Sequence, residues 1–94
     1  MEIDYLGTLK SRITRHQWQI DHIRKVADKI DENFCCRHHG VPTWHLRCEL
    51  GYPTSNHRLA LKKLEKEGRV ISYKQCENQI LWWPVGLLQE IKAT

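Results

Sequence analysis

Gly51-Tyr52-Pro53-Thr54-Ser55-Asn56-His57-Arg58-Leu59-Ala60-Leu61-Lys62-Lys63-Leu64-Glu65-Lys66-Glu67-Gly68-Arg69-Val70 is the stretch on which the fold turns. It reads as a tight turn, a basic amphipathic helix over 54–67 and a glycine stop that releases into a strand. Glycine holds the left-handed backbone needed to leave one helix and to terminate the next. His57, Ala60, Leu61 and Leu64 recur at i, i+3, i+4, i+7 spacing and form one stripe for burial. Ser55, Arg58, Leu59 and Lys62 share another face, flanked by Lys63 and Lys66. A short helix anchored on a core while presenting polar and cationic groups outward is what reading a DNA major groove requires.

Upstream, Thr14 and Gln17 fit a capping box. Ile20, Ile23, Ala27, Ile30 and Phe34 continue as a helical stripe, so the longest helix is expected over 15–33. Cys35-Cys36-Arg37-His38-His39-Gly40 reads as a loop, and Val41-Pro42 as one extended pair, because the residue before proline is pushed to the β region. Thr43 is the expected N-cap of a short helix carrying Trp44, Leu46 and Leu50, closed by Gly51. Downstream, Val70–Lys74 and Gln79–Trp83 are β-prone runs separated by the polar tip Cys76-Glu77-Asn78, which reads as a hairpin. Pro84 ends the second run, and Val85, Leu87, Leu88 and Ile91 suggest a C-terminal amphipathic turn or helix.

The order helix, short strand, helix, turn, helix, strand, turn, strand resembles the winged helix-turn-helix fold, which covers residues 15–84. It implies an α+β domain with a three-helix core and a two-stranded β wing. Residues 1–14 are then an N-terminal extension and 85–94 a C-terminal amphipathic tail. The sharpest likeness is to GntR-type and related bacterial regulators. Their pattern is matched without a gap by Leu50-Gly51, Arg58, Ala60-Leu61, Leu64-Glu65, Glu67-Gly68 and Val70. Three positions depart from it: His57 stands where a small aliphatic residue is usual, Leu59 at a usually polar site, and Arg47 where alanine is usual. No effector-binding segment follows the wing, so the resemblance implies a small stand-alone regulator or a phage- or plasmid-type protein.

The 94 residues suit one domain, and such a chain buries roughly 60–65% of its unfolded surface. A net charge of +4 favours anionic partners, but is too small to coat the whole surface with cations. No basic, apolar leader and no run of roughly 20 apolar residues is present, so no membrane partner is expected. Cys35, Cys36, Cys48 and Cys76 then read as reduced thiols of a cytoplasmic protein in a bacterial or phage-infected cell, associated with the nucleoid.

The expected function is sequence-specific binding of double-stranded DNA, as a transcriptional regulator. Arg58 can fork onto guanine and Asn56 can pair with adenine. Thr54 and Ser55 sit at a helix start, where a phosphate is favoured. Leu59 can meet a thymine methyl, and Lys62 and Lys63 phosphates. At the wing, Lys74, Gln75 and Asn78 can reach the backbone, although Glu77 opposes them. Each of these can instead be a cap or a solvated surface group. Lys10, Arg12 and Arg15 form either a basic arm or a solvated helix start.

Cys36-x-x-His39 with His45-x-x-Cys48 has zinc-like spacing, but no metal and no cofactor is expected. Trp18, Trp44, Trp82 and Trp83 are expected mostly in the core, but strand alternation sends Trp82 and Trp83 to opposite faces, one of them toward the surface. A homodimer would form through the N-terminal segment or through Trp83, Leu87 and Leu88. The same apolar residues, or Leu59, would serve a protein-docking module, the alternative function; excision or replication accessory roles share the DNA chemistry. No catalytic constellation appears, and the chain reads as non-enzymatic.

Overall fold

Asp4 opens the first helix, its carboxylate accepting the Gly7 N–H at 3.0 Å. The computed structural model describes residues 3–93, and helix α1 (Tyr5–Ile13) is followed by α2 (Gln17–Val26), a 3₁₀ turn (Ala27–Lys29) and α3 (Glu32–His39). Then come β1 (Val41–Pro42), α4 (Thr43–Leu50), α5 (Thr54–Lys66), β2 (Val70–Cys76), β3 (Gln79–Pro84) and α6 (Leu87–Ala93). The strands form an antiparallel sheet in the order β1-β3-β2, so the fold is α+β. The expected two-stranded wing is thus part of a three-stranded sheet, in which Val41 pairs with Trp82 and Pro42 with Leu81.

Several expected elements are redrawn. The single helix over 15–33 is broken: Ile30 takes extended backbone, and the Asp31 carboxylate accepts the Phe34 N–H at 2.8 Å to start α3. The break turns the chain, and the expected 35–40 loop becomes the rest of α3 with Cys35 and Cys36 in the core. Phe34, expected on the inward stripe, is exposed. The capping box at Thr14 is absent, because the Thr14 hydroxyl donates to the Lys10 carbonyl and the Gln17 amide to Asp21. His16 occupies the N-cap of α2 without a side-chain bond.

Residues 5–13, read as part of an extension, pack into the common core through Leu9 and Ile13. Thr43 is not an N-cap either. Its hydroxyl, buried, donates to the Ile80 carbonyl at 3.2 Å and accepts the Trp82 indole N–H at 2.8 Å. This chain of bonds joins α4 to β3.

Trp82 and Trp83 do point to opposite faces of β3, but both are 0% exposed. Helices cover both faces, and each indole N–H has an acceptor, without which burying it would be costly. For Trp83 the acceptor is Glu32 at 2.7 Å, whose carboxylate also receives the Gly86 N–H at 2.9 Å. Leu87, Leu88 and Ile91 of α6 are buried in the same core. The expectation of a docking or dimer surface from Trp83, Leu87 and Leu88 is therefore overturned: these side chains are buried in the core of their own chain. Trp18 and Trp44, expected inside, are 68% and 52% exposed.

Candidate nucleic-acid interface

Gly51 ends α4 with φ +75°, a backbone conformation that a β-carbon strains, and Tyr52 keeps the chain left-handed at φ +66°. Pro53 follows with extended backbone and occupies the N-cap of α5. This turn leads α4 into α5, and the two helices pack against each other. Thr54 and Ser55 make no side-chain cap bond, so they are helix-start residues and not caps.

The roll of α5 is set by His57, which is fully buried. Its Nε2 lies 2.7 Å from the Gly51 carbonyl, a group that can only accept, so the proton sits on Nε2. Nδ1 then accepts the Tyr5 phenol O–H at 2.7 Å. Burial, with Tyr52 nearby, pushes the Tyr5 pKa up, which keeps this phenol protonated as the donor. The departure of His57 from the small aliphatic residue of the resembled pattern is thereby explained: α1 brings it a polar partner.

With His57 and Leu61 inward, Ser55, Asn56, Leu59, Lys62, Lys63 and Lys66 face solvent. Leu59 is 71% exposed, a large apolar side chain at the centre of a polar face. Along α5 four cations, Arg58, Lys62, Lys63 and Lys66, stand against one carboxylate, Glu65. That carboxylate accepts the Ser72 hydroxyl at 2.5 Å and ties α5 to β2. Among the described residues none of the four cations has an ion-pair partner.

Arg58 differs from its reading as a free outward arm. It is half-buried, and its Nε is enclosed without a hydrogen-bond partner among the described residues. Thr54 is half-buried as well. At the hairpin, Lys74 and Asn78 are exposed, and the exposed Gln75 accepts from Gln79 at 2.8 Å. A register shift between Lys74 and Cys76 bends the strand near the tip. Arg37 of α3 lies 5.3 Å over the Tyr73 ring and adds a cation on the helix side of β2.

Lys10, Arg12 and Arg15 do not form a free arm. Lys10 pairs with Glu90 at 3.2 Å, and Arg12 and Arg15 both reach Glu49, at 2.8 Å and 3.2 Å. The Cys36, His39, His45 and Cys48 set does not assemble: among the described residues no group of three or more His, Cys, Asp or Glu side chains is placed to hold a metal. Cys35 and Cys36 are buried free thiols, and Cys48 and Cys76 exposed ones. No helix among the described residues is long and apolar enough to cross a membrane.

Besides Trp18 and Phe34, the exposure of two further aromatics escaped the sequence reading, Trp44 on α4 and Tyr52 in the α4–α5 turn. The left-handed φ of Tyr52 has no signal in the residue itself. No protein-family model matches this chain, and no curated protein and no solved structure matches it.

Proposed function

We propose that the chain is a sequence-specific double-stranded DNA-binding protein of the winged helix-turn-helix type, acting in transcriptional regulation. In this reading α3, α4 and α5 are the helical core, α4–turn–α5 is the helix-turn-helix, and the β2–β3 hairpin is the wing. The observation that carries it is the surface of α5. His57 and Leu61 hold the helix to the core, while on the open side Ser55, Asn56 and Leu59 are followed along the helix by the unpaired Lys62, Lys63 and Lys66. Lysines without carboxylate partners retain their attraction for phosphates, and the short polar and apolar side chains of the first half of the helix can meet base edges.

Arg58 contributes from the flank, its stem packed and its guanidinium restricted, which lowers the entropy lost on contact. Lys74, Gln75 and Asn78 add backbone contacts from the wing.

The test is fluorescence anisotropy on a mixed-sequence duplex across a salt series, with wild type and an Arg58→Ala/Lys62→Ala double variant. The variant is expected to lose about two units of log–log salt slope, at ~0.9 per phosphate contact. Absence of wild-type binding at about 50 mM salt, where non-specific attraction is strong, overturns the proposal.

A further inference from the structure

The end of α1, the start of α2, the end of α3, β1 and α4 enclose a polar cleft of about 230 Å³ outside α5 and the hairpin. Arg12, Arg15, His16, Gln19, His39 and His45 line it. A guanidinium has no acceptor, so the 3.1 Å contact between Arg12 Nη2 and His45 Nδ1 is donation by the arginine. The neutral His45 ring therefore carries its proton on Nε2, as a donor. Gln19 Nε2 likewise donates to His39 Nδ1 at 3.1 Å, which leaves an Nε2–H donor on His39.

Burial is the main cause holding the pKa of both rings down, with His22 and His38 adding to it at His39 and Arg12 at His45, where Glu49 acts in the opposite sense. The cleft thus collects N–H donors from separate chain segments, with two guanidiniums against the single carboxylate of Glu49.

We infer that this cleft binds a phosphate group, held by Arg15 and His45 with Arg12 behind them. Phosphate is favoured over a carboxylate because the lining donors come from α1, the α1–α2 turn, α2, α3 and α4, which suits a tetrahedral group with several oxygens and not a planar one with two; the arginine forks suit either anion. Glu49 now occupies part of both guanidiniums, at 2.8 Å and 3.2 Å, and acts as an internal competitor for the anion. The phosphate can be free, on a small molecule, or part of a nucleic-acid backbone.

The experiment titrates inorganic phosphate into the full chain at constant ionic strength, following the histidine ring resonances. Saturable shifts at His39 and His45 are expected. Arg15→Gln should weaken binding about tenfold, the loss of roughly one charge-assisted hydrogen bond. Glu49→Gln removes the competitor and should tighten binding several-fold, a gain that a misfolded variant cannot produce.

Shifts that never saturate, or that are the same in wild type, Arg15→Gln and Glu49→Gln, overturn the inference. Duplex anisotropy of Arg15→Gln then separates the sources. A salt slope lower by about one assigns the site to a DNA backbone phosphate. An unchanged slope, with phosphate binding by wild type intact, assigns it to free phosphate or a phosphorylated small molecule. Because the phosphate titration uses no DNA, it stands or falls apart from the proposed function.

Discussion

Tyr5 donates its phenol hydrogen to His57 Nδ1 at 2.7 Å, and this bond ties the first turn of α1 to the first turn and a half of α5. The rings also meet edge to face, with centroids 5.6 Å apart. His57 passes the link on, donating from Nε2 to the Gly51 carbonyl in the turn before its own helix. One buried imidazole thus joins the N-terminal helix, the left-handed turn and the outward-facing basic helix.

Tyr5→Phe removes the donor and leaves His57 Nδ1 buried without a partner. A loss of about 1–2 kcal/mol is expected in urea denaturation, since an unsatisfied buried group costs more than an ordinary hydrogen bond contributes. An unchanged midpoint would show that water or a shifted ring replaces the phenol.

Thr43→Val keeps the shape of the side chain but leaves the Trp82 indole N–H without its acceptor inside the core. A destabilisation of about 1–3 kcal/mol is expected, and Thr43→Ser should recover most of it. Equal stability of the valine and serine variants would sink the claim that the hydroxyl, and not the methyl group, matters.

Of the four thiols, only Cys48 and Cys76 should react quickly with a disulfide reagent in the native protein at mildly alkaline pH, and all four in denaturant. Burial first, then Glu32 and Asp31, pushes Cys35 up to about 11. Burial first, then Glu65, pushes Cys36 up to about 12. Both native values lie above the ordinary thiol value, so this contribution to stability is complete below it. It is lost as pH rises from 9.0 toward about 11 and beyond. Alkaline denaturation curves should be less steep in a Cys36→Ala variant; identical curves would contradict the assignment.

At acid pH the relevant group is Glu49, whose carboxyl pKa is held down chiefly by the Arg12 hydrogen bond. A depressed native value means stability that is present above the ordinary 4.5 and is lost as pH falls through the native value. The stability difference between wild type and Glu49→Gln should therefore shrink below that pH. The effect is small because the pair is partly exposed. A gap that stays constant down to the acid transition would rule it out.

The helix over Thr54–Lys66, its glycine-bounded ends and its buried His57–Leu61 stripe were legible because helical periodicity is a local signal repeated over more than three turns. The hairpin was legible too, since two β-prone runs flank a polar tip. The break at Ile30–Asp31 was harder: the stripe of apolar residues runs across it without interruption, and the cap at Asp31 competes with a hydroxyl-based signal at Thr14 that goes unused. The free or paired state of each cation was not legible at all. Arg12 and Arg15 lie more than thirty positions from Glu49, with |i−j| of 37 and 34.

By itself the sequence determined the α+β class, the order of the elements from Val41 onward and which face of the basic helix turns inward. All of these follow from residue spacing and from the backbone preferences of glycine and proline. Only the tertiary structure decided the fate of polar groups and large aromatics. Trp82 and Trp83 could both be buried because Thr43 and Glu32 arrive from distant segments to accept their N–H groups. His57 could enter the core because Tyr5 meets it there, and Arg12 and Arg15 turned toward Glu49 and not outward. Burial of a hydrogen-bonding group depends on a partner brought by the fold, and no local pattern of residues encodes that partner.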